Sequence, residues 1–286
     1  MLPNDYDRIV DGLFIGNEAA ARNAGTAEKR TAERPILPGG VRGPGGLGVF
    51  TAEIDPVNYT TAEPGELRRI LAQTGVESHL VSYIMGERHF RAEEYGEAIA
   101  EYSRAIALKA DFAEAFFSRG RARHERGDLD RAIADYTDAI RLTGGSAAAW
   151  NCRGCAWAQK GEAERAIQDY TRAIALKEDY GDAWFNRGYS WREQGEYDRA
   201  IADFSALIEL EPENASVYNQ RGTAWYYKGE DEKAIGDFSK AISLKHDFSL
   251  AWYNRGTAWR SLGDAARAET DLAQARRLGF APGGSP

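Results

Sequence analysis

A chain of 286 residues, 43% hydrophobic and 28% charged, is long enough for one large or two ordinary domains and apolar enough to fold. A formal charge of −8 without long runs of one sign argues against sequence-blind nucleic-acid binding, which needs clustered Lys and Arg to neutralise phosphates. No window approaches the ~18 consecutive apolar residues of a membrane helix, and two cysteines make no disulfide framework; the expectation is a cytoplasmic protein that needs no cofactor and contacts no membrane.

Residues 1–65 form an N-terminal region of different character. MLPNDYDRIVDGLFIGN carries acids where a secretory signal would carry basic residues. YDRIVDGLFIGNEAAARN, Tyr6 to Asn23, resembles the opening strand and helix of dual-specificity phosphatases. That resemblance implies a His-Cys phosphate loop ending in arginine, whose thiolate attacks phosphorus, and no His-Cys dipeptide occurs. The segment therefore reads as a remnant, a chance similarity or a docking arm. The alternative function is a fragment or regulatory subunit of an enzyme. RPILPGGVRGPGGLG, residues 34–48, is too rich in Gly and Pro to pack and reads as flexible linker. A short capping helix is expected over 66–74, opening a helical domain over 66–282 and followed by a tail at 283–286.

From His79 the chain repeats itself. AWFNRGYSWREQGEYDRAIADF, from Ala183, returns from Ala251 as AWYNRGTAWRSLGDAARAETDL, and intermediate copies start at Ala115, Ala149 and Val217, a period of 34. Units run over 113–146, 147–180, 181–214, 215–248 and 249–282. A degenerate one, 79–112, precedes them, marked by Gly86, Ala98, Tyr102 and Ala105. Position 4 is aromatic (Phe116, Trp150, Trp184, Tyr218, Trp252), and position 11 is Trp157, Trp191, Trp225 and Trp259 in the last four units. A gap of seven puts both on one face of a first helix. Position 8 is glycine in all five full units (Gly120, Gly154, Gly188, Gly222, Gly256). A mid-helix glycine costs about 1 kcal/mol against alanine, so close approach of a second helix through its alanine at position 20 is expected. Glycine at position 15 ends the first helix. Ile133, Tyr136 and Ile140 give the second helix an apolar stripe. A hairpin this small cannot bury both faces alone, whereas stacked hairpins can.

This pattern resembles the tetratricopeptide repeat family over about residues 79–282, which implies an all-α, right-handed solenoid of six helix-turn-helix repeats. Two departures stand out. The family's late proline survives only as Pro212, and its usual leucine at position 7 is arginine (Arg119, Arg153, Arg187, Arg221, Arg255). A charge at a helix seam is costly unless paired, and position 23 offers Asp135, Asp169, Asp203, Asp237 and Asp271, one for each arginine; the first unit has Met85 and Glu101. The matching predicts a recurring Arg–Asp bridge, with separate solvated charges as the alternative. Positions 21 and 28 are isoleucine in the first five units and Glu269 and Arg276 in the last. That reads as a polar closing face, and with Gly279 and Pro282 it leads to the expectation that the array ends there.

No catalytic constellation emerges, so the chain is expected not to be an enzyme. Cys152 and Cys155 form a C-x-x-C without a second ligand pair, at helix positions where sibling units read NRGY and NRGT, and His79, His89, His124 and His246 lack metal-ligand spacing. The family resemblance instead implies a concave groove lined by positions 2, 5, 6, 9, 12 and 13 of each first helix. Position 5 supplies Phe117, Asn151, Phe185, Asn219 and Tyr253; position 6 supplies Asn186, Gln220 and Asn254; position 9 supplies Tyr189; position 12 supplies Arg192, Tyr226 and Arg260. Side-chain amides carry donor and acceptor together, as the backbone of an extended peptide requires. Asn186, Gln220 and Asn254 resemble the asparagine ladder by which some members of the family grip a peptide. The lysine–asparagine clamp used by others for a C-terminal carboxylate is unmatched, whereas Arg192 and Arg260 suit an acidic segment. The expected protein is a monomeric adaptor binding another protein or peptide, self-association through its N-terminal side being a further reading.

Overall fold

The computed structural model describes Gly65, Glu66, Arg68, Arg69 and residues 77–280. The expectations for residues 1–64, including the phosphatase-like stretch and the 34–48 linker, and for the tail lie outside the described residues. Glu66, Arg68 and Arg69 are helical.

Twelve helices and no strand occur among the described residues. They are α1 (Ser78–Arg91), α2 (Tyr95–Leu108), α3 (Ala113–Glu125), α4 (Leu129–Thr143), α5 (Ala147–Gln159), α6 (Ala163–Leu176), α7 (Gly181–Glu193), α8 (Tyr197–Leu210), α9 (Ala215–Tyr227), α10 (Asp231–Leu244), α11 (Ser249–Ser261) and α12 (Ala265–Arg277). Each odd-numbered helix packs on the even-numbered helix after it as an antiparallel hairpin, and within each compact unit consecutive hairpins stack in the manner of a helical-repeat solenoid. The chain divides into two compact units, one holding α1–α4 and ending at Gly145, the other holding α5–α12 from Ser146.

The hairpin turn follows from the position-15 glycine. Gly127, Gly161, Gly195, Gly229 and Gly263 all adopt φ between 75° and 85°. In that conformation the next amide reaches back, as Asp128 N–H does to the Arg123 carbonyl at 2.9 Å, satisfying carbonyls the helix end would leave unpaired. In the first hairpin Glu93 occupies this slot at φ 58°, the only positive-φ residue other than glycine among those described. A side chain there costs about 1–2 kcal/mol.

The second helix does approach closely at the position-8 glycine, as expected, but chiefly through a residue other than its alanine at position 20. A Cβ on Gly154 would stand 2.6 Å from the Tyr170 ring, and one on Gly222 2.8 Å from the Phe238 ring; the carbonyls of Ala166 and Ala234, at position 20, come next at 3.2 Å. The aromatic at position 24, more than the alanine at 20, therefore claims the space. Gly222→Ala is expected to destabilise despite improving helix propensity. The gain of about 1 kcal/mol competes with overpacking of about 1–3 kcal/mol, and neither the buried Phe238 nor the Ala234 backbone can withdraw. A thermal midpoint at or above that of the wild type would refute this.

Between hairpins the isoleucines at positions 21 and 28 meet small residues of the next first helix. Ile201 packs with Val217 and Ala224, Ile235 with Ala258, Ile242 with Ala251, and Ile174 with Ala183. Small partners let helix axes approach closely.

The position-7 arginine forms a node that ties adjacent hairpins together. Each guanidinium binds its own hairpin's aspartate bidentately, Arg187 to Asp203 at 2.7 and 2.8 Å and Arg221 to Asp237 at 2.8 Å twice, and the pairs at Arg119, Arg153 and Arg255 do the same. The aromatic three residues earlier lies under it, as Trp184 does under Arg187 at 5.0 Å. The remaining nitrogen donates to a hydroxyl at position 25 of the preceding hairpin: Arg119 to Ser103, Arg187 to Thr171, Arg221 to Ser205 and Arg255 to Ser239, each at 3.0 Å. The bridge expected from the sequence is thus present, and the hydroxyl extends it across the seam. In the first hairpin, Met85 leaves no arginine at position 7; Arg68 and Arg104 approach Glu101 instead, at 2.5 and 2.6 Å.

Candidate peptide-binding face

Within the second unit the first helices lie against one another, α5 on α7, α7 on α9 and α9 on α11. Positions 5, 6, 9 and 12 fall on adjacent turns, so these side chains form one surface crossing the four helices. Phe117 belongs to the first unit, half-buried with its ring 5.8 Å from Tyr136.

Burial sorts the expected residues into two groups. Asn151, Phe185, Arg192 and Asn219 are buried. Asn186, Tyr189, Gln220, Tyr226, Tyr253 and Asn254 are half-buried, and Arg260 is exposed. At position 5 the side chains mostly support their neighbours. Phe185 packs edge-on to Phe204, 5.9 Å away. Asn151 accepts a hydrogen bond from Asn186 Nδ2 at 3.1 Å, and Asn219 accepts one from Asn254 Nδ2 at 3.0 Å. Tyr253 carries the Phe280 ring at 4.3 Å.

Arg192 is not a free cation. Its guanidinium lies over Tyr189 at 4.5 Å, donates to Gln220 Oε1, and pairs with Glu193 at 2.6 Å. In this arrangement it braces its neighbours, and a buried guanidinium paired with a carboxylate has less field to offer an acidic segment than an exposed one. Arg260 keeps its charge at the surface. Burial raises the Tyr226 hydroxyl pKa, and the Asp231 carboxylate adds to the shift, so Tyr226 remains a neutral donor. The lining from Asn186 to Asn254 is thus amide and phenol, with its charge held in buried or edge positions.

Burial pushes the Cys155 thiol up to about 12, and a reactive cysteine needs the thiolate. Among the described residues no group of three His, Cys, Asp or Glu side chains could hold a metal ion, and no helix is long and apolar enough to cross a membrane. An open cleft of about 750 Å³ lies between α12 and the His246–Trp252 corner.

Comparison with known proteins agrees with this architecture. Models described as "Tetratricopeptide repeat" match residues 126–182, 153–215 and 185–248, and one described as "TPR repeat" matches 86–125, together more than half the chain. Among solved structures, YrrB, titled "a TPR protein with an unusual peptide-binding site", is 22% identical, with a TM-score of 0.56 over 66% of this chain and 97% of that one. A MamA structure is 27% identical with a TM-score of 0.54, covering 56% and 94%. The C-terminal part of a TPR repeat-containing protein from Cytophaga hutchinsonii reaches 0.61 at 21% identity, covering 68% and 78%. No curated protein matches.

Proposed function

Because this chain belongs to the tetratricopeptide repeat family, we propose that it is a non-catalytic adaptor that holds an extended segment of another protein against the first-helix face of α5–α12. The observation that carries this reading is the lining itself: half-buried Tyr189, Tyr226 and Tyr253 interleaved with Asn186, Gln220 and Asn254. Phenol rings offer large contact area with little rotamer entropy to lose, and aromatic and arginine side chains dominate binding hot spots. The amides can satisfy backbone groups that an extended segment would otherwise bury unpaired. YrrB, described by its title as having a peptide-binding site, shares the fold.

Selection of a displayed library of random dodecapeptides on the full chain tests the reading. Tyr226→Ala with Asn254→Ala is expected to weaken the enriched peptides at least tenfold while leaving helical circular dichroism unchanged. Equal binding by the double variant would move the site elsewhere, and failure to enrich any peptide would remove the function.

A further inference from the structure

The three amides across this face are not equivalent, because their neighbours have already committed different ends of them. Asn186 spends Nδ2 on Asn151 Oδ1 at 3.1 Å and approaches the Cys155 sulfur at 3.5 Å. Asn254 spends Nδ2 on Asn219 Oδ1 at 3.0 Å. Both accepting asparagines are buried, 6% and 2% exposed, so they hold their partners from behind; Asn151 also hydrogen-bonds the Tyr180 hydroxyl. The Oδ1 of Asn186 and of Asn254 has no partner among the described residues and stays an acceptor. Gln220, one hairpin between them, is committed the other way. Arg192 has only N–H groups to offer, so the Gln220 atom it meets must be Oε1. What Gln220 has left is its NH₂ donor.

We propose that the binding face reads its ligand with a period of two hairpins, in the order acceptor, donor, acceptor at Asn186, Gln220 and Asn254. The occupant is a single extended polypeptide strand that gives backbone N–H groups to the two asparagines and a carbonyl to Gln220. The inference rests on the adaptor reading and specifies its chemistry. First helices in contact sit about 8–10 Å apart, so the asparagines stand roughly 20 Å from one another, which about six residues of extended chain span at ~3.3 Å each. The same doubling is written in the sequence: Asn151 and Asn219 at position 5 alternate with Phe185 and Tyr253, and Arg192 and Arg260 recur at position 12 in the units that carry Phe185 and Tyr253.

N-methylation of the peptide backbone removes one N–H at a time and leaves the protein untouched. In a scan along a library-selected dodecapeptide, binding is expected to fall at least fivefold at two positions about six residues apart. Asn186→Leu should abolish the sensitivity at one of them and Asn254→Leu at the other, a coupling that a merely unfolded variant cannot produce. Sensitive positions about three residues apart, one for each hairpin, would overturn the two-hairpin period, as would a flat profile for a peptide that binds. If no peptide is enriched at all, the adaptor reading falls and takes this inference with it.

Discussion

Asp203→Ala is expected to destabilise the protein by about 2–4 kcal/mol, whereas Arg187→Met combined with Asp203→Leu is expected to cost under about 1 kcal/mol. The asymmetry follows from burial. The Asp203 side chain is 7% exposed and that of Arg187 16%, so deleting the carboxylate leaves a largely buried guanidinium without its counterion and with two N–H donors unpaired. Removing both charges leaves an apolar seam of similar volume, the arrangement that the family's usual leucine at position 7 implies. Burial raises the Asp203 pKa, and the hydrogen bonds and charge of Arg187 pull it back only in part. Charging this carboxyl is therefore a cost to the fold. A folded pKa above the unfolded one contributes stability at low pH that is lost as pH rises through the folded value. Arg187→Met alone should accordingly lose stability as pH rises through the carboxylate range, and the double variant should not. Urea unfolding of the full chain at pH 4 and pH 7 separates the three variants. If the double variant is as damaged as Asp203→Ala, the node stabilises outright instead of fixing which hairpin sits on which.

The fold was legible because every hairpin restates it. A signal in one segment, such as Gly188 seven residues before Gly195, is weak, but the same pair recurs in every full unit, and the helices start where those units start. The Arg–Asp pairing was legible for the same reason, since position 7 never lacks its partner at position 23 in a full unit. What a single sequence hides is direction. Ser103, Thr171, Ser205 and Ser239 look like ordinary helix-surface residues until the arginine of the next hairpin is seen to donate to them.

The candidate site shows the same limit. Positions 5 and 6 differ by 100° around a helix, and composition alone does not say which of Asn151 and Cys152, or Asn219 and Gln220, turns inward. Packing decides: position 5 faces the neighbouring first helix, where Asn151 and Asn219 accept hydrogen bonds from Asn186 and Asn254. The brace between Arg192 and Gln220 is equally hidden in the sequence, because the two lie 28 residues apart. A periodicity read at 34 residues also blurs the alternation at 68 that distinguishes odd units from even ones.

Glu269→Ile with Arg276→Ile is expected to turn α12 into an adhesive face. In the hairpins before it, Ile201, Ile235 and Ile242 are at most 8% exposed because the next first helix covers them. At the same two positions of α12 the side chains are 68% and 57% exposed and pair with each other at 2.5 Å. Ala273 stands where earlier units carry the hydroxyl that meets the next arginine, so α12 lacks the polar half of the seam as well as the apolar half. Restoring the isoleucines rebuilds the apolar half alone. Burying an isoleucine contributes about 1.5–3 kcal/mol, and a twofold pairing of such faces buries four of them. The resulting roughly 6–12 kcal/mol is set against an association cost of about 4–15 kcal/mol, and at the favourable end of both ranges the surplus reaches the roughly 4–8 kcal/mol of a millimolar to micromolar dimer. Sedimentation of the variant over that range should show a mass that rises with concentration, and sedimentation of the wild type should show none arising from this face. A variant that stays at constant mass would mean the two isoleucines cannot nucleate a seam without the arginine node, and that the charges of Glu269 and Arg276 are not what limits association through α12.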